Sequence, residues 1–409
     1  MRQELNKNGR RLLIYSHDSF GLGHLRRCRS IAHNLVNRDP GLQVMIVSGL
    51  PLVARFEFHP RIQITLVPEI IKLKSGDYRA LDPDQSLSDA IGLRSRVIRE
   101  TAERFAPDLV LVDKEPLGIR GEMHATLEYL RAANVPAILG LRDVMDEPIK
   151  FAAEWARKGA VDAIDQFYRE IWVYGLRQIF DPLAGLPLSP GVRERVLFTS
   201  YLRRSEATAG FARALTGDDR RYLLVTPGGG GDGEELVDWV VSAREWRDRQ
   251  GWPPLMPLKI VSGPFMSGAR RAEFERRAAR LGDVTFADFD PDLEGLMAGA
   301  AGVVAMGGYN TFCEILSYDR PALIVPRTAP RLEQFIRAER ACELGLVAML
   351  PDDGVRDPAR MAEALAALPF RARPSAVTIP GLLDGHRMIA SRVDLLLDGG
   401  RAAITAAAG

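Results

Sequence analysis

The sequence predicts an α/β protein made of two doubly wound domains, each a parallel sheet with helices on both faces. Three observations carry that expectation. Short runs of Val, Ile and Leu recur without polar alternation, as strands buried on both faces require. Longer amphipathic stretches separate them, as the crossovers of a parallel sheet require. The alternation pauses at the Pro- and Gly-rich segment DPLAGLPLSPG (181–191) and then restarts.

In chain order, the first half has strand-like runs at 11–17, 43–48, 62–67, 108–113, 136–141 and 170–175. Helical patterns lie at 24–37, 86–105, 121–134 and 149–168. The segment 181–191 reads as a linker. Strands follow at 222–226, 258–262, 284–287, 302–305, 321–325 and 347–350. Helices are expected at 232–249, 268–280, 291–299, 310–317, 331–344 and 357–367, and a last one at 386–397. The expected division is 1–185 for an N-terminal domain and 192–375 for a C-terminal domain, with a helix inside 380–400 packing back on the first. Ligands of open parallel sheets bind beyond the carboxyl ends of the strands. Two such domains facing each other would form a cleft lined by the residues that follow strands.

The 409 residues are 46% hydrophobic and 26% charged, enough apolar material for large cores. With 54 basic and 53 acidic residues, the net charge of +1 gives no electrostatic footprint for nucleic acid. Cys28, Cys313 and Cys342 stand far apart without metal-ligand spacing, which suits a reducing compartment. The start, MRQELNKNGRR, leads straight into RLLIYS and lacks the apolar segment of a signal peptide. The apolar stretch near 295–310 is Gly-rich and reads as a helix end followed by a strand, not a membrane span. The expectation is a cytoplasmic protein; peripheral contact with the inner face of a membrane is compatible with it.

Four motifs follow strands. In SHDSFGLGHLRR (16–27), Gly21 and Gly23 permit a tight turn at a helix start, and His24 sits in the first turn beside the loop residues His17 and Asp18. An ordinary turn carrying a surface histidine would look the same. In LLVTPGGGGDGEELVDWV (223–240), a side-chain-free loop at a helix N-terminus reads as a diphosphate cradle. Gly228, Gly230 and Gly233 formally satisfy GxGxxG, but the next strand, LKIVSG, ends at Ser262 and Gly263 without the acid of a dinucleotide site. In VAMGGYNTFCEILSYDRPALIVPR (304–327), a strand ends at Met306, two glycines turn the chain, and Glu314 lies one turn into a helix. Its spacing from Thr311 is also that of a capping box. In RLEQFIRAERACELGL (331–346), Gln334 opens a helix where it could bond sugar hydroxyls or simply face solvent.

The run from Met306 through Gly345 resembles the donor-binding segment of GT-B glycosyltransferases of the family-28 type, the family of the lipid-II-forming N-acetylglucosaminyltransferase. The matching pieces are GGYNTFCE, RPALIVP, EQFIRA and LG, preceded by FGLGH and PGGGGDG, in the family's order across both halves. The resemblance implies a GT-B fold, two facing Rossmann-like domains, with a UDP-sugar as co-substrate and no separate cofactor. It implies that Glu314 binds the ribose. Gly308, Tyr309, Asn310 and Thr311 would line the phosphates, helped by Gly229 and Gly230. Gly23, Gly263 and Met306 fall in the same donor set, the backbone near Phe286 to Phe289 would hold the base, and Gln334 would meet the donor sugar. Two departures leave the sugar open: the acid expected ahead of the Gln helix is missing from Pro-Arg-Leu-Glu-Gln, and Arg337 stands where the family has Asn. The stretch from Asp18 to Arg27 is also similar to the UDP-sugar hydrolase of pseudaminic acid synthesis, which uses the same scaffold with water as acceptor.

Sugar transfer needs a base for the acceptor and stabilisation of the leaving diphosphate. No DxD metal motif follows a suitable strand, so the expectation is metal-independent chemistry, with helix N-termini taking the charge. His24 is the candidate base, and Asp113, at the end of DLVLVD, a second base or the group that orients the histidine. Glu115 and Asp143 lie at similar strand ends, where they could equally be caps. The acceptor (a glycan, a lipid-linked sugar or a small molecule) would meet the N-terminal domain, with the polar loop 73–86 placed to gate it. A nucleotide-sugar hydrolase or epimerase, a dinucleotide oxidoreductase and a non-catalytic binder are the rival readings.

Overall fold

Among the described residues, thirteen of the fifteen strands pair into two fully parallel sheets. The computed structural model describes residues 10–17, 22–72, 77–82, 84–204, 221–229, 231–290 and 292–407. In the first half, β1 is Arg10–Tyr15, β2 Leu42–Ser48, β3 Ile62–Leu66, β4 Ile70–Lys72 and β5 Tyr78–Ala80. Then come β6 Leu109–Asp113, β7 Ala137–Arg142, β8 Tyr168–Tyr174 and β9 Val196–Phe198. In the second half, β10 is Leu223–Thr226, β11 Leu258–Val261, β12 Val284–Ala287, β13 Gly302–Ala305, β14 Ala322–Ile324 and β15 Ala348–Met349. The first sheet runs β3-β2-β1-β6-β7-β8-β9 and the second β12-β11-β10-β13-β14-β15. The remaining strands, β4 and β5, form a small antiparallel hairpin that the sequence reading did not anticipate.

Helices in the first half are α1 Gly23–Arg38, α2 Leu87–Phe105, α3 His124–Ala132, α4 Pro148–Arg157, α5 Ala160–Phe167 and α6 Pro190–Glu194. The second half has α7 Glu234–Arg249, α8 Gly268–Ala279, α9 Leu293–Gly299, α10 Tyr309–Ser317, α11 Glu333–Glu343 and α12 Pro358–Ala367. The chain then returns as α13, Gly385–Ala407.

Burial on both faces explains the absence of alternation in the strands. Leu12 and Ile14 of β1 face one core and Leu13 and Tyr15 the other, each no more than 1% exposed. The first of these cores runs on into the second half. Leu12, Ile14 and Leu25 belong to one apolar cluster with Tyr309, Phe312 and Ile389.

Three expectations are corrected. The pattern at 149–168 is two helices, because Gly159 takes a left-handed φ of +62° between α4 and α5. The segment 181–191 is not the crossing between sheets. It lies between β8 and β9, which pair parallel in the first sheet, so the chain leaves that sheet only after Phe198. The short strand VLF was too brief to stand out beside the Pro/Gly signal. The last helix extends to Ala407, ten residues past the expected end at 397. It packs on α1, with Ser30 Oγ 3.0 Å from His386 Nε2, and on the first sheet, with Arg10 of β1 3.3 Å from Asp394 and Arg392 paired with Glu170 of β8. Gly385 lets the start of this helix lie close to the chain after β9, since a Cβ there would stand 2.6 Å from the Tyr201 carbonyl oxygen.

The strand orders fix where a site can form. In each sheet the order reverses beside the first strand, between β1 and β6 and between β10 and β13. Those reversals open a crevice at the carboxyl ends of the neighbouring strands. His24 and Asp113 follow β1 and end β6. The glycine loop at 227–233 follows β10, and Gly307 and Gly308 follow β13.

Candidate active site

At the first reversal, the turn after β1 delivers His24 into the opening turn of α1. Its Nδ1 lies 2.5 Å from Asp113 Oδ2. Asp113 is 1% exposed and also receives Arg27, whose Nε lies 2.9 Å from Oδ1 and whose Nη2 lies 2.7 Å from both oxygens. Arg27 Nη2 is also 3.0 Å from His24 Nδ1. A nitrogen cannot both donate to the carboxylate and accept from the guanidinium. The anion at the shorter distance assigns Nδ1–H to Asp113, which leaves Nε2 as the unprotonated nitrogen.

The electrostatics agree with that tautomer. Burial pushes the His24 pKa down to about 3, and Arg27 and Lys114 add to this against the pull of Asp113. For Asp113, burial acts to raise the pKa, but Arg27 and His24 outweigh it and hold the carboxyl down at about 2. The pair therefore rests as neutral imidazole beside carboxylate. His24 keeps 14% of its side chain exposed, and its ring packs edge-on to His17 with centroids 5.4 Å apart.

The second reversal carries two glycine turns, after β10 and after β13. Gly263, with φ +89°, presses on the first of them, and a Cβ there would lie 2.4 Å from the Gly228 carbonyl oxygen. Gly229 lies against Phe265, and a Cβ at Gly233 would meet Pro227 at 2.2 Å. Gly230 falls outside the described residues, as do Asp18 and Gly21. The second turn has Gly307 at φ +76° and Gly308 as the N-cap of α10, with open space where a Cβ would be. The N-cap residues of α1, α7 and α10 make no side-chain cap bond, so among the described residues no N-cap side chain accepts from the first N–H groups of these helices.

The remaining expected residues divide into those that face the first half and those packed inside the second. Asn310 donates from Nδ2 to the Gly23 carbonyl at 2.9 Å and accepts from Arg204 at 2.8 Å. Glu314 is fully buried. Its Oε1 accepts from Arg26 of α1 at 2.6 Å, and its Oε2 has no partner among the described residues. The capping-box alternative fails, because the helix is capped at Gly308 and Thr311 lies inside it. Burial raises the Glu314 pKa while Arg26 and Arg204 oppose it. Met306, 4% exposed, is a core residue, and the Tyr309 ring is buried between Arg27 and Arg337, whose guanidinium carbons lie 5.5 and 5.8 Å from its centroid. These two can meet a ligand only through backbone. Phe289 is 39% exposed and borders a small apolar slot with Leu22, Leu52, Phe56 and Pro264. Gln334 is buried and accepts from the Arg327 N–H at 3.2 Å.

Several charged residues escaped the sequence reading. Glu333, directly before Gln334, is 3% exposed. Burial would raise its pKa, but Arg142 and Arg327 hold it down at about 2. It is the first residue of the Gln helix, one position before Gln334, whereas the resemblance expected an acid ahead of that helix. Arg337 forms a two-pronged ion pair with Asp143, at 2.8 and 2.6 Å, and donates to the Gly307 carbonyl at 3.0 Å. Tyr201 completes the Asp143 shell at 2.9 Å. Asp143, which the sequence left open between a strand-end catalytic acid and a cap, thus ties the first sheet to the turn before α10. The only advance signal was that Arg337 replaced an expected Asn.

A cavity of about 650 Å³ opens beside His17, lined by Glu115, Arg120, Arg157 and Lys158 of the first half and by Arg331 of the second. Among the described residues, no group of three or more His, Cys, Asp or Glu side chains could hold a metal ion. None of their helices is long and apolar enough to cross a membrane.

No family model and no curated protein matches the chain in sequence. Solved structures match it in fold. A UDP-glucosyltransferase from Polygonum tinctorium superposes with a TM-score of 0.59 at 13% identity, over 97% of this chain and 95% of that one. A UGT transferase from Siraitia grosvenorii, solved in complex with UDP, gives 0.56 at 14% identity, over 96% and 95%. MurG of Acinetobacter baumannii gives 0.54 at 14% identity, over 95% and 99%. The chain has the two-domain GT-B fold of these glycosyltransferases.

Proposed function

We propose that the chain transfers a sugar from a UDP-linked donor to a hydroxyl acceptor, without a metal ion. The observation that carries this reading is the His24–Asp113 pair at one sheet reversal, together with two glycine-capped helix starts at the other, one of them tied to the His24 turn by the Asn310–Gly23 hydrogen bond. A base with an orienting carboxylate then stands opposite a site built for a diphosphate.

In this reading His24 Nε2 takes the proton of the acceptor hydroxyl as its oxygen bonds to the anomeric carbon. The bond from that carbon to the diphosphate breaks, and its electron pair leaves with the UDP. Asp113 keeps Nδ1–H in place and stabilises the imidazolium that forms, which releases its proton to solvent with the product. N–H groups at the starts of α7 and α10 receive the developing charge on the diphosphate. Phe289 borders the base, Glu314 exchanges Arg26 for the ribose diol when the halves part, and Gln334 and Glu333 meet sugar hydroxyls. The cavity beside His17 receives the acceptor. A cytoplasmic location fits a UDP-sugar co-substrate.

The test is UDP release from UDP-sugars with and without hydroxyl acceptors, in the presence of a chelator. Acceptor-dependent release that ignores the chelator supports transfer. Release independent of any acceptor would mean hydrolysis, and loss with the chelator would mean a metal takes part.

A further inference from the structure

The opening turn of α1 sends two side chains toward different halves. His24 and Arg26 are two positions apart, so they leave opposite flanks of the helix. His24 goes to Asp113 of the first half, and Arg26 crosses to the second. There its Nη2 donates to Glu314 Oε1 at 2.6 Å and to Glu294 Oε1 at 3.5 Å. The Arg26 side chain is 22% exposed and that of Glu314 1%. Burial acts to lower the Arg26 pKa, but the two carboxylates outweigh it and keep the guanidinium charged. Glu314 Oε2 is buried with no partner among the described residues, so the carboxylate has room for a further donor. Helix α10 lies alongside. Asn310, in its first turn, donates to the Gly23 carbonyl at 2.9 Å, and Glu314 follows Asn310 by one turn as Arg26 follows Gly23. The start of α10, capped by Gly308, is therefore only about 5.4 Å along the helix axis from the level at which Arg26 is anchored. A long, flexible side chain spans that step.

In the donor reading above, the ribose diol takes Glu314. Arg26 is then left with Glu294 alone, at the longer distance and on a side chain 31% exposed. A largely covered guanidinium that loses its carboxylate is costly. The ligand that displaces it also brings the replacement, because its diphosphate sits at the start of α10, one turn away. Arg204, the other cation acting on Glu314, is buried and held by Asn310 Oδ1 at 2.8 Å, so it stays in place. We infer that Arg26 changes anions when the donor binds, passing from Glu314 to the diphosphate, and so stabilises the leaving group. As the bond from the anomeric carbon to the diphosphate breaks, the electron pair stays on the phosphate oxygen beside the guanidinium. The acceptor's proton goes to His24 on the opposite flank of the same turn. The inference rests on the donor reading and adds a first-half residue that the sequence did not single out. One turn of α1 then carries both the base for the acceptor and the cation for the leaving group.

The test compares the wild type, Arg26→Met and Arg26→Lys by calorimetric titration with UDP and, through competition, with uridine. UDP release from a UDP-sugar at saturation, with hydroxyl acceptors present, is measured beside it. Uridine offers the ribose without the diphosphate. Any effect that reaches the ligand through Glu314 moves both affinities together and cancels in their ratio. In Arg26→Met the preference for UDP over uridine should fall by about tenfold or more, and so should turnover at saturation. Arg26→Lys keeps a positive charge at Glu314, tests the proposal even where the Met variant unfolds, and should retain part of both. A UDP-to-uridine ratio unchanged in Arg26→Met, or in Arg26→Lys where only that variant folds, would overturn the exchange. Equal tightening of both ligands would make Arg26 a plain competitor for Glu314 and overturn it too, as would turnover at the wild-type rate. A wild type that binds no UDP at all would instead bring down the donor reading, and the exchange with it.

Discussion

Asp113 holds a base and a cation at once, and the balance between them sets what His24 can do. Arg27 keeps the carboxyl ionised, and the ionised carboxyl keeps Nδ1 protonated and Nε2 free. His24→Ala should therefore bind UDP normally and lose at least about a hundredfold in turnover, the low end for removal of a general base. Asp113→Asn should lose turnover over about the same range, through the wrong tautomer. Because the folded-state pKa lies near 3 and the ordinary value is 6.5, His24 stays neutral across the mildly acidic range. Turnover should show no acid limb at the ordinary histidine value, and a break there in the pH–rate profile would contradict the assignment. The same shift affects stability. The unfolded chain binds the proton first, so His24's contribution is complete above 6.5 and is lost as pH falls toward 3. For Glu314, now free of the capping alternative, Ala substitution should weaken UDP by about 1.5–3 kcal/mol in calorimetric titration. It should also lower the melting temperature, because Arg26 keeps only its longer 3.5 Å pair with Glu294.

Strands buried on both faces announce themselves by composition, and nearly all were legible for that reason. The elements that were missed are those that leave little apolar trace. β9 is three residues long, and the β4–β5 hairpin lies outside both sheets. Likewise the helix break at Gly159 turns on one φ, not on any change of pattern. The glycine turns were legible as turns, but their fit was not. Gly263 is required by the loop it presses on, which lies 35 residues earlier at Gly228. Gly263→Ala should force that loop to shift, both by its positive φ and by the clash. Nucleotide affinity should fall with little change in the melting of the rest of the chain. Unaltered UDP binding in that variant would remove the loop from the site.

Across the whole molecule, the two halves meet through buried charges that no local pattern could reveal, because their partners lie far apart in sequence. Asp143 and Arg337 are 194 positions apart and both are at most 1% exposed. Arg26 and Glu314 are 288 apart. The sequence showed His24, Asp113 and Glu314 as single residues at strand ends and helix starts. It could not show that Arg26 and Arg27 occupy their carboxylates. Removing one member of a buried pair leaves the other uncompensated, so Asp143→Asn should cost about 3–5 kcal/mol in denaturant unfolding. Replacing Asp143 and Arg337 together with apolar residues should cost much less, and equal costs would mean the pair is not the clasp. The central claim is that a donor held by the second half reacts at a base presented by the first. The most direct measurement is UDP release from a UDP-sugar, with hydroxyl acceptors present, by wild type and by His24→Ala at matched UDP affinity. The account predicts acceptor-dependent release by the wild type and release at least about a hundredfold slower by the variant. Equal rates in the two proteins would contradict it.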